Sequence, residues 1–383
     1  MIRAFLKVSA AAALLVTACQ APRGEQPAAT VEDIPVGVYL SLTGSEATFG
    51  NETLEGIRMA ADEINSRGGV LGKKLRLVVE DDQGKPEEAA SVVTKMITSD
   101  RVLGMIGENK SACSLAAAPI CQAARVPMVS PSSTNPEVTK KGDYIFRVCF
   151  IDSLQGDAIA SYAVKSLKAT KAAIIKDVKS DYSVGLGQFF AQGFAARGGK
   201  VVADQSYSEG DRDFRSQLTA IRNAKPDVIM VPGYYTDVAQ IAIQARDLGL
   251  TIPLIGGDGW ESPKLLEIAG SSLDGSYYAS PVFFSDKGSP AMATFISSFR
   301  KRYGKEPAAL NAQGYDALNV FAEGVRRAGT LDPPAIRKAI AETKDFQGAA
   351  GVLTLNENRD AVKPVSMVKI VGKTPTFAGW VEP

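Results

Sequence analysis

The feature that most constrains this chain is the alternation of short apolar runs with amphipathic helical stretches from residue 34 onward. Ile34–Leu40 predicts a strand, and Asn51–Ser66 predicts a helix because its apolar residues recur at the helical period. Pro86 opens a further helix, where its missing N–H costs nothing, and Ser111–Ala124 predicts another. This βαβα order predicts an α/β fold of doubly wound, mostly parallel sheets with helices on both faces.

The same order restarts near residue 153. A helix there leads to a strand at Ala172–Lys176, a helix at Ser183–Arg197 and a strand at Lys200–Tyr207. Both halves contain a helix that ends in the same tripeptide before a strand, Arg67-Gly68-Gly69 and Arg197-Gly198-Gly199. We therefore predict two similarly built lobes.

The first residues have the pattern of a targeting segment, with an apolar run at Val8–Val16 that is too short to span a bilayer. Val16-Thr17-Ala18-Cys19 resembles the lipobox of bacterial lipoproteins, in which the cysteine is lipidated. We expect a signal peptide at residues 1–18, lipidation at Cys19 and a flexible tether at residues 19–33. The alternative is an ordinary signal peptide with a chance cysteine. Either way the protein is expected to be exported, and the lipidated form to be anchored at a membrane surface facing the periplasm or cell exterior.

Composition removes several classes of function. The chain has no histidine among its 383 residues, which excludes Ser-His-Asp and Cys-His catalysis and any histidine metal site. Lys plus Arg total 43 against 42 for Asp plus Glu, so the chain lacks the basic excess typical of nucleic-acid binding. We expect no nucleic-acid partner, no metal, no cofactor and no catalytic residue.

Three cysteines follow Cys19, namely Cys113, Cys121 and Cys149. Cys113 and Cys121 lie eight residues apart on one predicted helix, about 12 Å at 1.5 Å per residue, which is too far for a disulfide. Buried structural thiols are the expected state. No Cys-x-x-Cys spacing indicates a metal site.

Ligands of such sheets bind beyond the carboxyl ends of the strands. The loops at these ends are rich in Ser, Thr, Tyr and Asp and contain no phosphate-binding fingerprint. This composition suits a small polar or zwitterionic ligand. The loops in question are Ser41–Gly50, Gly107–Ser111, Ser130–Pro136, Asp177–Tyr182, Gly233–Thr236 and Gly256–Trp260.

Several motifs occur together in a characteristic order: Gly44, Gly56–Gly69, Asp81-Asp82, Ser130–Thr134 and Gly257-Asp258-Gly259-Trp260. With these motifs the chain resembles type I periplasmic solute-binding proteins of the branched-chain amino acid (Leu/Ile/Val-binding) family. The resemblance implies a two-lobe clamshell that captures a small amino acid and delivers it to the transmembrane permease subunits of an ABC transporter.

The resemblance also implies how the chain is divided. The first lobe would comprise residues 34–150 plus 282–356, and the second residues 151–281 plus 357–383. Three crossovers between the lobes are expected near Val148–Ile151, Ala279–Val282 and Leu355–Ala361.

The same resemblance implies the site. The α-carboxylate of the ligand would be bound by Ser111 at a helix N-terminus and by Thr134. Ser132 falls where the family offers a backbone carbonyl to the ligand. Asp258 would bind the ammonium group. Aromatic contacts are expected from the residues that follow: Tyr182, Tyr234, Phe49 and Trp260.

The side-chain pocket departs from the family pattern. Asn109 stands where members that select aliphatic side chains have an apolar residue, so a neutral amino acid with a polar or small side chain is expected to compete with branched ones. Glu108 and Lys110 are expected to point to solvent, and charged ligand side chains to bind poorly.

The sequence does not exclude other functions. The same clamshell occurs in ligand-sensing receptors, and the ligand could be a small carboxylate other than an amino acid. An exported hydrolase or isomerase using Asp81, Asp82 and Asp258 is a further alternative, and it would convert the ligand.

Overall fold

The structure is a computed structural model, and it describes residues 33–284 and 288–381. The expected signal peptide, Cys19 and all but the last residue of the tether lie outside the described residues. Within the described ranges, no helix is long and apolar enough to cross a membrane.

The first lobe is built on a five-stranded parallel sheet in the order β2-β1-β3-β4-β5. Its strands are β1 (Ile34–Leu40), β2 (Leu75–Asp81), β3 (Gly104–Ile106), β4 (Met128–Ser130) and β5 (Ile145–Arg147). Apolar clusters fill both faces of this sheet. The doubly wound α/β arrangement predicted from the sequence is therefore confirmed.

The second lobe is built on a seven-stranded sheet in the order β15-β14-β10-β9-β8-β6-β7. Five strands are parallel to one another: β6 (Lys171–Asp177), β7 (Lys200–Tyr207), β8 (Val228–Met230), β9 (Leu254–Gly256) and β10 (Tyr277–Ser280). An antiparallel pair extends the sheet beyond β10, formed by β14 (Val365–Val371) and β15 (Thr374–Val381).

Eleven helices lie in the described part of the chain. Those of the first lobe are α1 (Ala47–Ser66), α2 (Pro86–Thr98), α3 (Ser111–Ala124), α9 (Pro290–Tyr303), α10 (Ala309–Ala328) and α11 (Pro333–Ala341). Those of the second lobe are α4 (Asp152–Lys165), α5 (Asp181–Ala196), α6 (Arg215–Ala224), α7 (Tyr235–Asp247) and α8 (Pro263–Ala269).

The chain passes between the two sheets three times. It leaves β5 for α4, returns after β10 to α9, and enters the second sheet again at β14. Before the last passage it forms a small sheet of β11 (Phe346–Gly348), β12 (Gly351–Leu355) and β13 (Ala361–Val362). Because β13 still pairs with β12, the third passage lies at Lys363-Pro364, a little beyond the segment Leu355–Ala361 expected from the resemblance.

Close packing of α1 against α10 brings α10 to the region between the lobes. A Cβ atom at Gly56 would collide with the carbonyl oxygen of Asn311, and one at Gly314 with the carbonyl oxygen of Thr53. The two helix backbones can approach this closely only because both positions lack a side chain.

The Arg147 side chain joins the end of β5 to two other segments. Its guanidinium is fully buried and lies 2.7 Å from Asp360. It also donates to the carbonyl oxygens of Ser133 (2.6 Å) and Asn135 (2.9 Å). Arg147 therefore fixes the loop after β4 through the two residues that precede and follow Thr134 in the sequence.

Replacing Asp360 by Ala would leave the buried Arg147 cation without its carboxylate partner. We expect a loss of about 3–5 kcal/mol in the free energy of unfolding, the usual cost of breaking a buried pair. Urea denaturation followed by circular dichroism measures this loss. The control is Asp157→Ala, which removes a carboxylate from an Arg197 pair on the surface and should cost less than about 1 kcal/mol. Equal losses in the two variants would contradict the assignment.

Candidate functional site

A small cavity of about 20 Å³ lies where loops at the carboxyl ends of both sheets meet. Most of these loops follow strands β3, β4, β6, β8 and β9, as expected for ligand sites in doubly wound folds. The residues that line the cavity are Phe49, Asn109, Ser132, Thr134, Tyr182, Tyr234, Asp258, Gly259, Glu261, Pro281, Leu310 and Gln313.

Two residues expected in the site do not line this cavity. Ser111 begins α3, and its hydroxyl accepts a hydrogen bond from the backbone N–H of Asn135 at 3.2 Å. Trp260 is buried in the core of the second lobe, where its indole N–H donates to the carbonyl oxygen of Val231 at 3.0 Å. The other expected residues, Phe49, Asn109, Ser132, Thr134, Tyr182, Tyr234 and Asp258, all line it.

The first lobe contributes hydroxyl groups to the cavity, and the N-terminus of α3 contacts the loop that carries them. Ser132 and Thr134 are buried in the loop after β4, and α3 begins at Ser111, whose hydroxyl binds the same loop. The unpaired N–H groups and the dipole of a helix N-terminus favour an anion. This side of the cavity therefore suits a carboxylate.

Asp258 supplies a carboxylate from the second lobe. Gln155 holds it at two points, donating to Asp258 Oδ1 at 3.0 Å and accepting from the Asp258 backbone N–H at 2.7 Å. Burial raises the pKa of Asp258 to about 6, although hydrogen bonds from Gln155 and Tyr182 oppose the shift. Among the described residues that line the cavity, none is Lys or Arg. An ammonium group of a ligand would supply the missing positive charge.

Aromatic side chains from both lobes close one side of the cavity. Tyr182 and Tyr234 stack with ring centroids 5.1 Å apart. Phe49 of the first lobe meets Tyr234 edge-on at 6.1 Å and Tyr235 at 5.0 Å, so it packs within the core of the second lobe. The Tyr182 hydroxyl also accepts from the Gly259 N–H at 3.0 Å, which orients the loop that carries Asp258.

Further contacts between the lobes surround the cavity. Lys110 Nζ lies 3.0 Å from Glu46 of its own lobe and 3.2 Å from Glu209 of the second lobe. Burial would lower the pKa of Lys110, but the charges of these two carboxylates outweigh it and hold the pKa above its ordinary value. Asn135 Nδ2 also donates across the interface to the carbonyl oxygen of Asp181 at 2.9 Å. The structure is thus a closed form of the two lobes.

The expectation that Glu108 and Lys110 point to solvent is wrong, since both side chains are buried. Glu108 accepts hydrogen bonds from the Ser41 N–H (2.8 Å), the Ser41 hydroxyl (2.7 Å) and the Lys110 N–H. Burial, with the nearby charge of Asp82, raises the pKa of Glu108 to about 8. Charged side chains were expected on the surface because water usually solvates them, but here fixed partners replace water.

Asp82, Glu108 and Cys113 are buried with possible ligand atoms within 4.8 Å of one another. The three cysteines Cys113, Cys121 and Cys149 are free and buried, which confirms the expectation of structural thiols. Burial raises the pKa of the Cys113 thiol well above its ordinary range, so the thiolate that a metal needs is disfavoured. Glu108 already has three donors. We therefore interpret this group as part of the packed core.

Sequence reasoning missed several residues of the cavity. Pro281 follows β10, so the rule on strand ends could have found it, and Glu261 directly follows the Gly257–Trp260 motif. Leu310 and Gln313 lie on the first turns of α10. No periodicity in the sequence distinguishes a helix face that meets a cavity from one that meets the core.

Comparison with known proteins agrees with this geometry. Residues 33–375 match the family described as periplasmic binding protein. A Leu/Ile/Val-binding protein of Rhizobium johnstonii is 31% identical over 330 residues, which cover 86% of this chain and 89% of that protein.

Two solved structures are similar throughout. A leucine binding protein of Thermotoga maritima has a TM-score of 0.89 and 39% identity, covering 91% of this chain and 99% of that one. A branched-chain amino acid substrate-binding protein of Streptococcus pneumoniae, solved with isoleucine, has a TM-score of 0.87 and 32% identity, covering 92% and 100%. Fold, cavity and relatives agree: this chain belongs to the periplasmic binding protein family, with the type I fold that its motifs predicted.

Proposed function

We propose that this protein is the substrate-binding component of an ABC importer, and that it captures a small amino acid between its lobes and delivers it to the permease. The observation that carries the proposal is the pairing of opposite binding groups in one cavity. The hydroxyls of Ser132 and Thr134 line the cavity from the first lobe, where the N-terminus of α3 contacts their loop, and the carboxylate of Asp258 lines it from the second. Such a pair suits the carboxylate and ammonium groups of an α-amino acid. The relatives named for amino acid binding support the same proposal.

The proposal includes no chemical conversion of the ligand. The family is one of solute-binding proteins, and the described cavity contains no nucleophile paired with a base. Mass spectrometry after long incubation should therefore recover the amino acid unchanged.

Asp258→Ala tests the ammonium partner. Loss of this carboxylate would leave the ligand's ammonium group buried without a counter-charge, which typically costs about 3–5 kcal/mol, or two to four decades in affinity. Isothermal titration calorimetry with an amino acid that binds the native protein measures the change. The control is Asp247→Ala, an exposed residue of the same lobe, which should bind as the native protein does. An affinity of the Asp258 variant within threefold of native would overturn the assignment.

Glu209→Gln tests the ion pair between the lobes. The Glu209 side chain is 39% exposed, so its pairing with Lys110 is screened by solvent and should contribute only about 0.5–1 kcal/mol. We expect a two- to fivefold weaker affinity, through faster ligand release measured by stopped-flow fluorescence. Added salt should weaken native binding more than binding by the variant. Identical release rates and salt dependence would show that this pair does not stabilise closure.

We also propose that Cys19 is lipidated after removal of residues 1–18, so that residues 19–33 tether the lobes to a membrane facing the periplasm or cell exterior. Support comes from the sequence Val16-Thr17-Ala18-Cys19 and the polar composition of the segment that follows. In cells, Cys19→Ser should abolish palmitate labelling and release the protein from membranes or leave it as the precursor. A matched Cys149→Ser variant keeps Cys19 and should stay labelled. Labelling that survives Cys19→Ser would refute the lipid anchor.

A further inference from the structure

One side of the cavity presents hydrogen-bond acceptors that have no donor. Gln313 is buried, and its Nε2 donates to the carbonyl oxygen of Pro131 at 3.1 Å. Because a carbonyl can only accept, this bond fixes the amide orientation and leaves Gln313 Oε1 on the other side. Gln313 Oε1 is buried and has no partner.

Asn109 is placed in the same way. Its Nδ2 donates to the hydroxyls of Thr53 at 2.9 Å and Ser132 at 2.8 Å, which uses both N–H groups of the amide. Asn109 Oδ1 is buried and has no partner. Asn109 and Gln313 both line the cavity, so two amide oxygens there have no hydrogen-bond donor.

Glu261 adds a carboxylate to this side. One of its oxygens, Oε2, is buried without a partner, and burial raises the pKa of Glu261 to about 7. Glu52 lies close to Glu261. Burial raises the pKa of Glu52 to about 8, and the negative charge of Glu261 is the second largest cause of that rise. We call Asn109, Gln313 and Glu261 the acceptor cluster.

We infer that the side chain of the bound amino acid ends in N–H donors, as an amide, ammonium or guanidinium group does, and that the acceptor cluster binds it. The inference rests on the proposed function, since Asp258 and the hydroxyls of the first lobe would take the ammonium and carboxylate groups common to all amino acids. Phe49, Pro281 and Leu310 line the same cavity and supply apolar contacts for the methylene groups of such a side chain.

An aliphatic side chain would occupy this space without meeting any of the three acceptors. A buried acceptor left without a donor costs about tenfold in affinity, equivalent to about 1.4 kcal/mol. Donor-bearing side chains should therefore be preferred over leucine, isoleucine and valine, the ligands named for several relatives.

The test is a calorimetric comparison of seven amino acids with the full mature protein. We expect at least one of asparagine, glutamine, lysine and arginine to bind at least tenfold more tightly than each of leucine, isoleucine and valine. If a branched-chain amino acid binds as tightly as the best of the four, the inference is overturned, because water would then be meeting the acceptors equally well.

Two variants connect the preference to the cluster. Glu261→Gln keeps the shape of the side chain but removes its charge. The affinity for lysine or arginine should therefore fall at least tenfold, whereas the affinity for asparagine or glutamine should change less than threefold. The same variant thus distinguishes cationic ligands from amide ligands. Asn109→Leu removes one amide acceptor and should shift the ratio of affinities toward leucine at least tenfold. The matched control is Glu267→Gln, an exposed residue of α8 paired with Lys264, which should leave every affinity unchanged. Unchanged ratios in both cluster variants would overturn the inference.

The same panel separates failure of the inference from failure of the proposed function. Tight binding of leucine that is lost in Asp258→Ala would overturn the acceptor cluster's role and retain the amino acid site. Absence of binding for all seven amino acids by a folded protein would overturn both.

Discussion

The carboxylate of Asp258 is half-buried in the cavity lining, and within the described residues no Lys or Arg forms an ion pair with it. Hydrogen bonds from Gln155 and Tyr182 stabilise it only in part, so that burial still raises its pKa to about 6. In an open form water would solvate the carboxylate, and closure removes that water. Closure of the empty protein would therefore carry an electrostatic cost, and the ammonium group of the proposed ligand would offset it, which would couple binding to closure.

The closed form also depends on how rigidly each lobe presents its groups. Arg147 holds the carbonyl oxygens on either side of Thr134, and Gln155 holds both the backbone and the side chain of Asp258. These bonds lie within one lobe, so they form before a ligand arrives. Groups fixed in advance lose little conformational entropy on binding. Fewer contacts, such as that of Lys110 with Glu209, have to form during closure itself.

The sequence predicted the fold well because periodicity reports which face of an element is buried. Ile34–Leu40, Ser111–Ala124 and Lys200–Tyr207 have the bounds predicted for them. Helix α1 begins four residues before the predicted Asn51, because Gly50 is not a break: it lets the helix pack against the Ser41 carbonyl oxygen. Strand β15 was missed because it is a largely exposed edge strand with no alternation of apolar residues.

Prediction of the site was less complete for a related reason. Residues that follow strands could be found from the topology alone, and Asn109, Thr134, Tyr182, Tyr234 and Asp258 all line the cavity. Gln313 reaches the cavity from α10 only because of the close packing at Gly56 and Gly314, a long-range contact that no local pattern records. The burial of Glu108 and Lys110 likewise depends on partners distant in sequence, namely Ser41, Glu46 and Glu209.

The acceptors of the cavity come from both lobes, with Asn109 and Gln313 on the first and Glu261 on the second. In this structure the free oxygen of each acceptor is buried without a partner. A ligand that binds the first lobe but has no side-chain donor would therefore lose binding free energy when the lobes close and not when it first binds. Selectivity in this protein would then reside in the equilibrium between open and closed forms. Initial capture by Ser132 and Thr134 would discriminate less, because the carboxylate that they are proposed to bind is common to every amino acid.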